Sequence, residues 1–120
     1  MKKMTRVLLV EDDKDFGDSF ALILKRKGYS IRLVPLATQA LRILEGERFD
    51  VIVSDVVMPQ MNGLDFVKEF KSRYGELIPV IMLSGYGNVK EAVEAMKLGA
   101  YSYFLKPVNQ DEICLTIDKA

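Results

Sequence analysis

Polar residues that could do chemistry stand at the ends of four short apolar runs in this 120-residue sequence. In chain order they are Glu11, Asp12, Asp13, Asp55, Ser84 and Lys106. The sequence has no histidine and a single cysteine, Cys114, which excludes Ser-His-Asp and Cys-His nucleophile pairs and histidine-bound zinc. Chemistry in this protein therefore depends on carboxylates, a hydroxyl group, an ammonium group and a hard metal ion.

These residue types suit phosphoryl transfer assisted by a divalent cation. Crowded carboxylates repel one another unless a cation lies among them, and a set of oxygen ligands favours Mg²⁺ or Mn²⁺. A carboxylate can also attack phosphorus and form an aspartyl phosphate. Lys106 and Ser84 would then supply positive charge and a hydrogen bond to the transferred group.

Five short runs predict β-strands, and helical patterns separate them. The runs cover residues 7–10, 31–34, 51–53, 80–83 and 103–105. Three of them are continuously apolar, which indicates strands covered on both faces, whereas the mixed run at 31–34 indicates an edge strand. Helical patterns begin near Phe16, Ala37, Leu64, Val89 and Asn109. The alternation predicts an α/β fold, a doubly wound five-stranded parallel sheet with helices on both faces.

Two of these helices carry further predictions. Asp13 is expected to cap the first helix, a structural role rather than metal binding. Asn88 is expected to cap the fourth helix, with Glu91 three residues later. The apolar residues of the fourth helix follow the spacing of one buried face; they are Val89, Ala92, Val93 and Met96.

The predicted sheet brings the polar residues together. Asp55 follows the third strand, Ser84 the fourth and Lys106 the fifth, and the carboxyl ends of parallel strands lie on one edge, where such folds bind ligands. Any one of these side chains could instead be an ordinary loop or capping residue. Their joint position at the strand ends favours a common site.

Composition restricts the function further. The chain is 49% apolar, which suits one domain over residues 1–120. It carries 17 basic and 17 acidic residues, which argues against direct binding of nucleic acid. Only a short apolar run follows the basic N-terminus, so neither a signal peptide nor a membrane span is expected. A single cysteine fits the reducing cytoplasm, and no glycine-rich phosphate loop or dinucleotide fingerprint is present.

Four segments together resemble the receiver domains of bacterial two-component response regulators, over essentially the whole chain. They are Val-Glu-Asp-Asp at 10–13, Asp-Val-Val-Met-Pro-Gln-Met-Asn-Gly at 55–63, Ser-Gly at 84–85 and Tyr-Phe-Leu-Lys-Pro at 103–107. Each segment alone is weak evidence, whereas four in order at these separations are specific. The resemblance implies a single receiver domain over 1–120 with the strand order 2-1-3-4-5.

The resemblance also implies a role for each site residue. Asp55 is the expected phosphoacceptor, and the expected cofactor is Mg²⁺, or Mn²⁺. The implied metal ligands are Glu11, Asp12, Asp55 and the carbonyl oxygen of Val57. Lys106 is expected to pair with Asp55 at rest and with a phosphoryl oxygen afterwards, and the hydroxyl of Ser84 is expected to move toward that phosphoryl group.

Two further residues have implied structural or switching roles. Tyr103 matches an aromatic switch residue that turns inward on activation, although a strand position could equally make it core filling. Pro107 matches a proline that usually follows a cis peptide bond. Cys114 lies among apolar residues and is expected to be a small packed side chain.

The implied function is a phosphorylation-dependent switch. A sensor histidine kinase or phosphotransfer protein would phosphorylate the domain, which would act on an output domain or a downstream protein. Residues 84–93 and 98–101 resemble the nitrogen-control type of enhancer-binding transcription activators, which suggests transcriptional regulation. Phosphorylation is further expected to promote a homodimer through the fourth helix, fifth strand and fifth helix.

Other enzyme classes with similar residues fit less well. Phosphatases of the haloacid-dehalogenase type carry Asp-x-Asp after the first strand, where this chain has Glu11-Asp12-Asp13. Topoisomerase–primase metal folds pair an early glutamate with a later Asp-x-Asp, and Val57 occupies the second aspartate position here. The chain stops within or just after its last predicted helix, so it is either an excised receiver or a stand-alone one.

Overall fold

The computed structural model describes residues 4–120. Five strands and five helices alternate along this part of the chain, in the predicted order. The strands are β1 (Arg6–Val10), β2 (Ser30–Val34), β3 (Val51–Asp55), β4 (Val80–Ser84) and β5 (Ser102–Leu105). The helices are α1 (Lys14–Arg26), α2 (Ala37–Leu44), α3 (Gly63–Tyr74), α4 (Val89–Lys97) and α5 (Gln110–Lys119).

All neighbouring strands pair in parallel, in the order β2-β1-β3-β4-β5. The doubly wound fold and the strand order are therefore confirmed, and β2 lies at an edge as predicted. The strand order reverses between β1 and β3, where crevices of this architecture open at the carboxyl edge. The register pairs Val10 with Ser54 in these two strands, so the residues that follow β1 stand beside the end of β3.

The sheet separates two hydrophobic layers because alternate residues of a strand point to opposite faces. Leu8 of β1 packs into the layer covered by α2, α3 and α4. Its neighbour Leu9 packs into the layer covered by α1 and α5. Strands β1, β3 and β4 are buried almost throughout, as their continuously apolar runs predicted.

Polar side chains begin four of the five helices. The side chains of Asp13, Asn62, Asn88 and Asn109 each accept a backbone N–H three residues later. The capping predictions for Asp13 and Asn88 are therefore confirmed. The caps fix where α1, α3 and α4 begin, which is the edge at which the polar residues collect.

The predicted buried face of α4 is wrong. Val89, Val93 and Met96 are 81%, 46% and 48% exposed, and the buried residue of this helix is Ala95. Ala95 and the half-buried Leu98 pack into the core instead, and of the predicted residues only Ala92 is half-buried. Periodicity alone does not distinguish two apolar stripes on one helix.

Two strand ends differ by one residue or more from the sequence prediction. Asp55 and Ser84 are the last residues of β3 and β4 rather than residues that follow these strands. Their backbones are consequently held in the sheet ladder, with partners Leu83 and Leu105. The peptide bond between Lys106 and Pro107, directly after β5, is cis.

Candidate functional site

Three carboxylates meet at the carboxyl edge of the sheet. Oxygen atoms of Glu11, Asp12 and Asp55 lie within 4.8 Å of one another. Glu11 and Asp55 are buried, whereas Asp12 is exposed to solvent. The donor set contains only oxygen and is rich in negative charge, which fits a hard cation such as Mg²⁺. The exposed side of Asp12 leaves such an ion open to water and to a ligand.

Lys106 reaches this cluster from the end of β5. Its ammonium group donates to Glu11 Oε1 at 2.6 Å and to Asp55 Oδ2 at 3.2 Å. Burial, the largest influence, lowers the pKa of Lys106, but its bonds and charge interactions with Glu11 and Asp55 leave that pKa above its ordinary value. Lys106 is therefore a fixed cation beside Asp55. The shorter bond to Glu11 is a contact that the sequence analysis did not predict.

Glu11 is the least hydrated carboxylate of the cluster. Burial raises the pKa of Glu11 to about 7, with Asp55 acting in the same direction, while Lys106 and the N–H of Asp13 oppose the shift. A buried carboxylate beside a second one is stabilised in its charged form by a cation. The site is therefore electrostatically arranged to accept positive charge.

Ser84 lies on the strand next to Asp55 and is fully buried. Its Oγ accepts a hydrogen bond from the N–H of Tyr86 at 3.3 Å. Val57 and Tyr86 flank this region in the two adjoining loops and are 60% and 90% exposed.

Tyr103 is half-buried, which agrees with the core-filling role, whereas its role as a switch stays a prediction. Its ring packs partly into the layer beneath α4, and its hydroxyl donates to Glu91 Oε1 at 2.5 Å. Burial and this hydrogen bond raise the pKa of Tyr103, whereas Ser84 lowers it. A side chain at Gly87 would overlap the tyrosine hydroxyl, so this glycine leaves the space that the phenol occupies. Tyr103 thus connects the end of β4 to the first turn of α4.

Sequence reasoning missed two residues that contact the site. Glu91 was assigned only a capping relation, and Phe16 only the apolar face of α1. The ring centroid of Phe16 lies 4.2 Å from the ammonium nitrogen of Lys106. Neither contact leaves a local sequence signal, because each joins residues of different helices and strands.

The geometry agrees with the comparison with known proteins. Residues 7–118 match the family of the response regulator receiver domain. The chain belongs to this family. The receiver is 37% identical over 116 residues to an NtrX-like response regulator of Rickettsia bellii, covering 95% of the receiver and 24% of the relative. It is 35% identical over 114 residues to the transcriptional regulatory protein ZraR of Escherichia coli, covering 95% of the receiver and 26% of that protein.

Solved structures agree with this assignment. A response regulator receiver domain from Clostridium thermocellum superposes with a TM-score of 0.90 at 29% identity, over 97% of this chain and 93% of that one. The family acts in phosphorylation-dependent signalling, partnered by histidine kinases and output domains, and generally binds Mg²⁺. The phosphatase and topoisomerase–primase alternatives are thereby excluded, and the resemblance to nitrogen-control regulators is supported by the NtrX-like relative.

Two further observations concern the extent of the chain and the character of its helices. The chain spans about a quarter of the length of the NtrX-like and ZraR relatives. Within residues 4–120, no helix has both the length and the apolar character needed to cross a bilayer.

Proposed function

We propose that this receiver, a single domain over residues 1–120, accepts a phosphoryl group on Asp55 from a sensor histidine kinase or a phosphotransfer protein. The observation that supports the proposal is the bridge from Lys106 to Glu11 and Asp55 beside three clustered carboxylates. It joins a nucleophile, a fixed cation and a set of metal ligands at one edge of the sheet. Phosphoryl transfer requires these groups.

The proposed chemistry begins with a carboxylate oxygen of Asp55. It attacks the phosphorus, and the bond from phosphorus to the donor breaks, so that an aspartyl phosphate forms. Lys106 neutralises one phosphoryl oxygen, and the hydroxyl of Ser84 donates to another. Glu11, Asp12, Asp55 and the carbonyl oxygen of Val57 are the residues that would hold Mg²⁺, or Mn²⁺, which supplies further charge neutralisation when bound.

The proposed output is a change of arrangement rather than an enzymatic product. Ser84 and Tyr103 are the proposed switch residues, and Tyr103 already contacts α4 through Glu91. The altered surface would act on an output domain or a downstream protein, with transcriptional regulation as its effect. The domain carries equal numbers of acidic and basic residues, so we assign nucleic-acid binding to another part of the system. We place this function in the cytoplasm, where a free Cys114 is stable.

The dependence on a metal tests this proposal. Wild-type protein incubated with acetyl phosphate and Mg²⁺ should gain the mass of one phosphoryl group, and excess EDTA should prevent it. Asp12→Ala should label more slowly and bind Mg²⁺ more weakly, because two buried carboxylates alone are a poor ligand set. Asp15→Ala is the matched control, since it removes an exposed carboxylate from the first turn of α1, outside the cluster.

Intact-mass spectrometry and calorimetric Mg²⁺ titration would measure both effects. Equal labelling of the wild type with and without EDTA would refute the metal's role. Equal Mg²⁺ binding by Asp12→Ala and Asp15→Ala would remove Asp12 from the ligand set.

A further inference from the structure

We propose that Phe16 is a positioning residue for this phosphoryl chemistry. Its ring holds the ammonium group of Lys106 against Glu11 and Asp55 and screens the group from water. The inference rests on the proposed function of Asp55 and Lys106, and it adds a residue of α1 to their site. Phe16 does not touch the reacting atoms, so it acts through Lys106.

The ammonium group of Lys106 is enclosed on three sides. Two sides of it face carboxylate oxygens of Glu11 and Asp55, at 2.6 and 3.2 Å. The ring of Phe16 covers a third side, with its centroid 4.2 Å from the nitrogen. A cation within about 6 Å of a ring centroid is attracted by the negative face of the ring, and the attraction grows when water is excluded. The side chain of Lys106 is only 19% exposed, which meets that condition.

The ring of Phe16 is held in place by its neighbours. Phe16 stacks on Phe20 with centroids 5.4 Å apart and an angle of 24° between the planes, and Phe20 is itself buried in the core. The backbone N–H of Phe16 donates to the capping carboxylate of Asp13 at 3.1 Å. The helix cap and the aromatic stack therefore fix the ring from two directions.

Helix α1 approaches the carboxylate cluster closely. Gly17 follows Phe16, and an added side-chain carbon there would come within 3.4 Å of Glu11 Cγ and 3.3 Å of a Leu33 methyl group. Such contacts are tighter than ordinary packing. The glycine thus lets α1 lie against Glu11, and the ring of Phe16 reaches Lys106 because of this approach.

Without the ring, only the two carboxylates would hold the ammonium group of Lys106. A lysine side chain is long and flexible, and its ammonium group is strongly hydrated. Its shorter bond is to Glu11, whereas the phosphoryl group would be on Asp55. The ring attracts the cation without using the carboxylate oxygens, so it keeps the ammonium group at the site when those oxygens acquire other partners.

The experiment compares Phe16→Leu with Phe16→Tyr and with wild type. Acetyl phosphate is the donor, because a small molecule can phosphorylate Asp55 without a partner protein that binds near the substituted residue on α1. The leucine keeps an apolar side chain but has no ring, so labelling of Asp55 should slow by roughly three- to tenfold. The tyrosine keeps the ring, and labelling should stay within about twofold of wild type.

Nuclear magnetic resonance gives a readout that packing alone would not change. The ε-methylene protons of Lys106 lie near the ring face, so the ring current shifts their resonances upfield. This shift should disappear in Phe16→Leu and persist in Phe16→Tyr. The matched control is Tyr74→Leu on α3, which removes a half-buried aromatic ring packed at a tilt against Phe70, with centroids 5.2 Å apart. It should leave both the labelling rate and the lysine shift unchanged.

The outcomes separate the inference from the proposed function. If wild type labels and Phe16→Leu labels equally fast, or keeps the upfield lysine shift, the positioning role is refuted and the proposed function stands. If wild type does not label at all, the proposed function fails and the positioning role fails with it. Phe16→Met provides the same comparison with another flexible apolar side chain should the leucine variant not fold.

Discussion

At the residue scale, Lys106 divides its charge between two carboxylates of the same cluster. With Asp12 beside them, up to three negative charges face one ammonium group. Repulsion among the carboxylates is therefore only partly neutralised by the protein itself. The remaining negative charge is the physical reason for expecting a divalent cation to complete the site.

The side chain of Val57 provides a prediction about how long the phosphoryl group survives. Hydrolysis requires a water molecule in line with the phosphorus, and Val57 cannot hold one by hydrogen bonding although it is 60% exposed beside the site. We therefore expect slow dephosphorylation. Val57→Asn should speed the loss of the phosphoryl group by about three- to tenfold, below the range that a full general base supplies.

Loss of the labelled mass over time measures this rate. Val57→Leu is the control, because it stays apolar and should decay like wild type. A Val57→Asn protein that decays no faster than Val57→Leu would show that this side chain does not keep water from the phosphoryl group.

The individual site contacts differ in how far the sequence could predict them. That Glu11, Asp55 and Lys106 lie together follows from the strand pattern, because the carboxyl ends of parallel strands share an edge. The strand pattern does not predict that Lys106 lies nearer to Glu11 than to Asp55. It also does not predict that the ring of Phe16 covers the ammonium group. These contacts depend on the rotamers of side chains about 90 positions apart in the sequence, for which the chain carries no local pattern.

At the element scale, α4 presents an apolar face to solvent. Val89, Val93 and Met96 form this face, and Leu105 of β5 is exposed beside it. Two acidic residues of α5 contact the opposite side of the domain. Asp111 lies 4.0 Å from Lys27, and Asp118 accepts a hydrogen bond from Tyr29, so both face the α1 side. The contact surface of a homodimer formed through this face would therefore be mainly apolar.

We expect phosphorylation to promote this homodimer, because Tyr103 connects the site to α4. Beryllofluoride, a phosphoryl mimic, should increase the sedimentation coefficient of the wild type at high concentration. Met96→Glu should abolish the increase by placing a charge in the apolar contact. Leu22→Glu is the control, since Leu22 is similarly exposed, at 49%, on α1.

Sedimentation velocity with and without the mimic tests this expectation. Identical profiles in both conditions would contradict it. A loss of association in Leu22→Glu as well as Met96→Glu would place the contact outside the face of α4.

The order and type of the elements were predictable, but the rotation of α4 was not. Strands buried on both faces leave continuous apolar runs, and capping residues mark where helices begin. The α4 helix carries two stripes at helical spacing, and the choice between them is made by packing. Ala95 fits close to the sheet, whereas the larger Val93 and Met96 remain outside.

At the scale of the whole molecule, Tyr29, which directly precedes β2, bonds to the last helix. The hydroxyl of Tyr29 donates to Asp118 at 2.6 Å and lies 3.2 Å from the carbonyl oxygen of Cys114. Burial and the bond to Asp118 raise the pKa of Tyr29 well above its ordinary value. Cys114 is partly buried against the same layer, in agreement with its predicted packing role.

This raised pKa gives a prediction about alkaline stability. A phenol whose pKa is higher in the folded state stabilises the fold below its unfolded pKa of about 10, and the contribution is lost as the pH rises through the folded value. Tyr29→Phe should lower the free energy of unfolding by about 1–2 kcal/mol at neutral pH. The difference between the two proteins should shrink above about pH 10.

Urea unfolding at pH 7 and at pH 11 measures this difference. Tyr86→Phe is the control, because Tyr86 is 90% exposed and should behave like wild type at both values. A Tyr29→Phe deficit that is equally large at both pH values would contradict the proposed linkage.

The assignment of Asp55 as the phosphoacceptor is the claim on which the other site predictions depend. Asp55→Asn keeps the size and shape of the side chain but lacks the nucleophilic carboxylate. Intact-mass spectrometry after incubation with acetyl phosphate and Mg²⁺ should show one phosphoryl group on the wild type and none on Asp55→Asn. An unchanged phosphoryl adduct on Asp55→Asn would contradict the assignment.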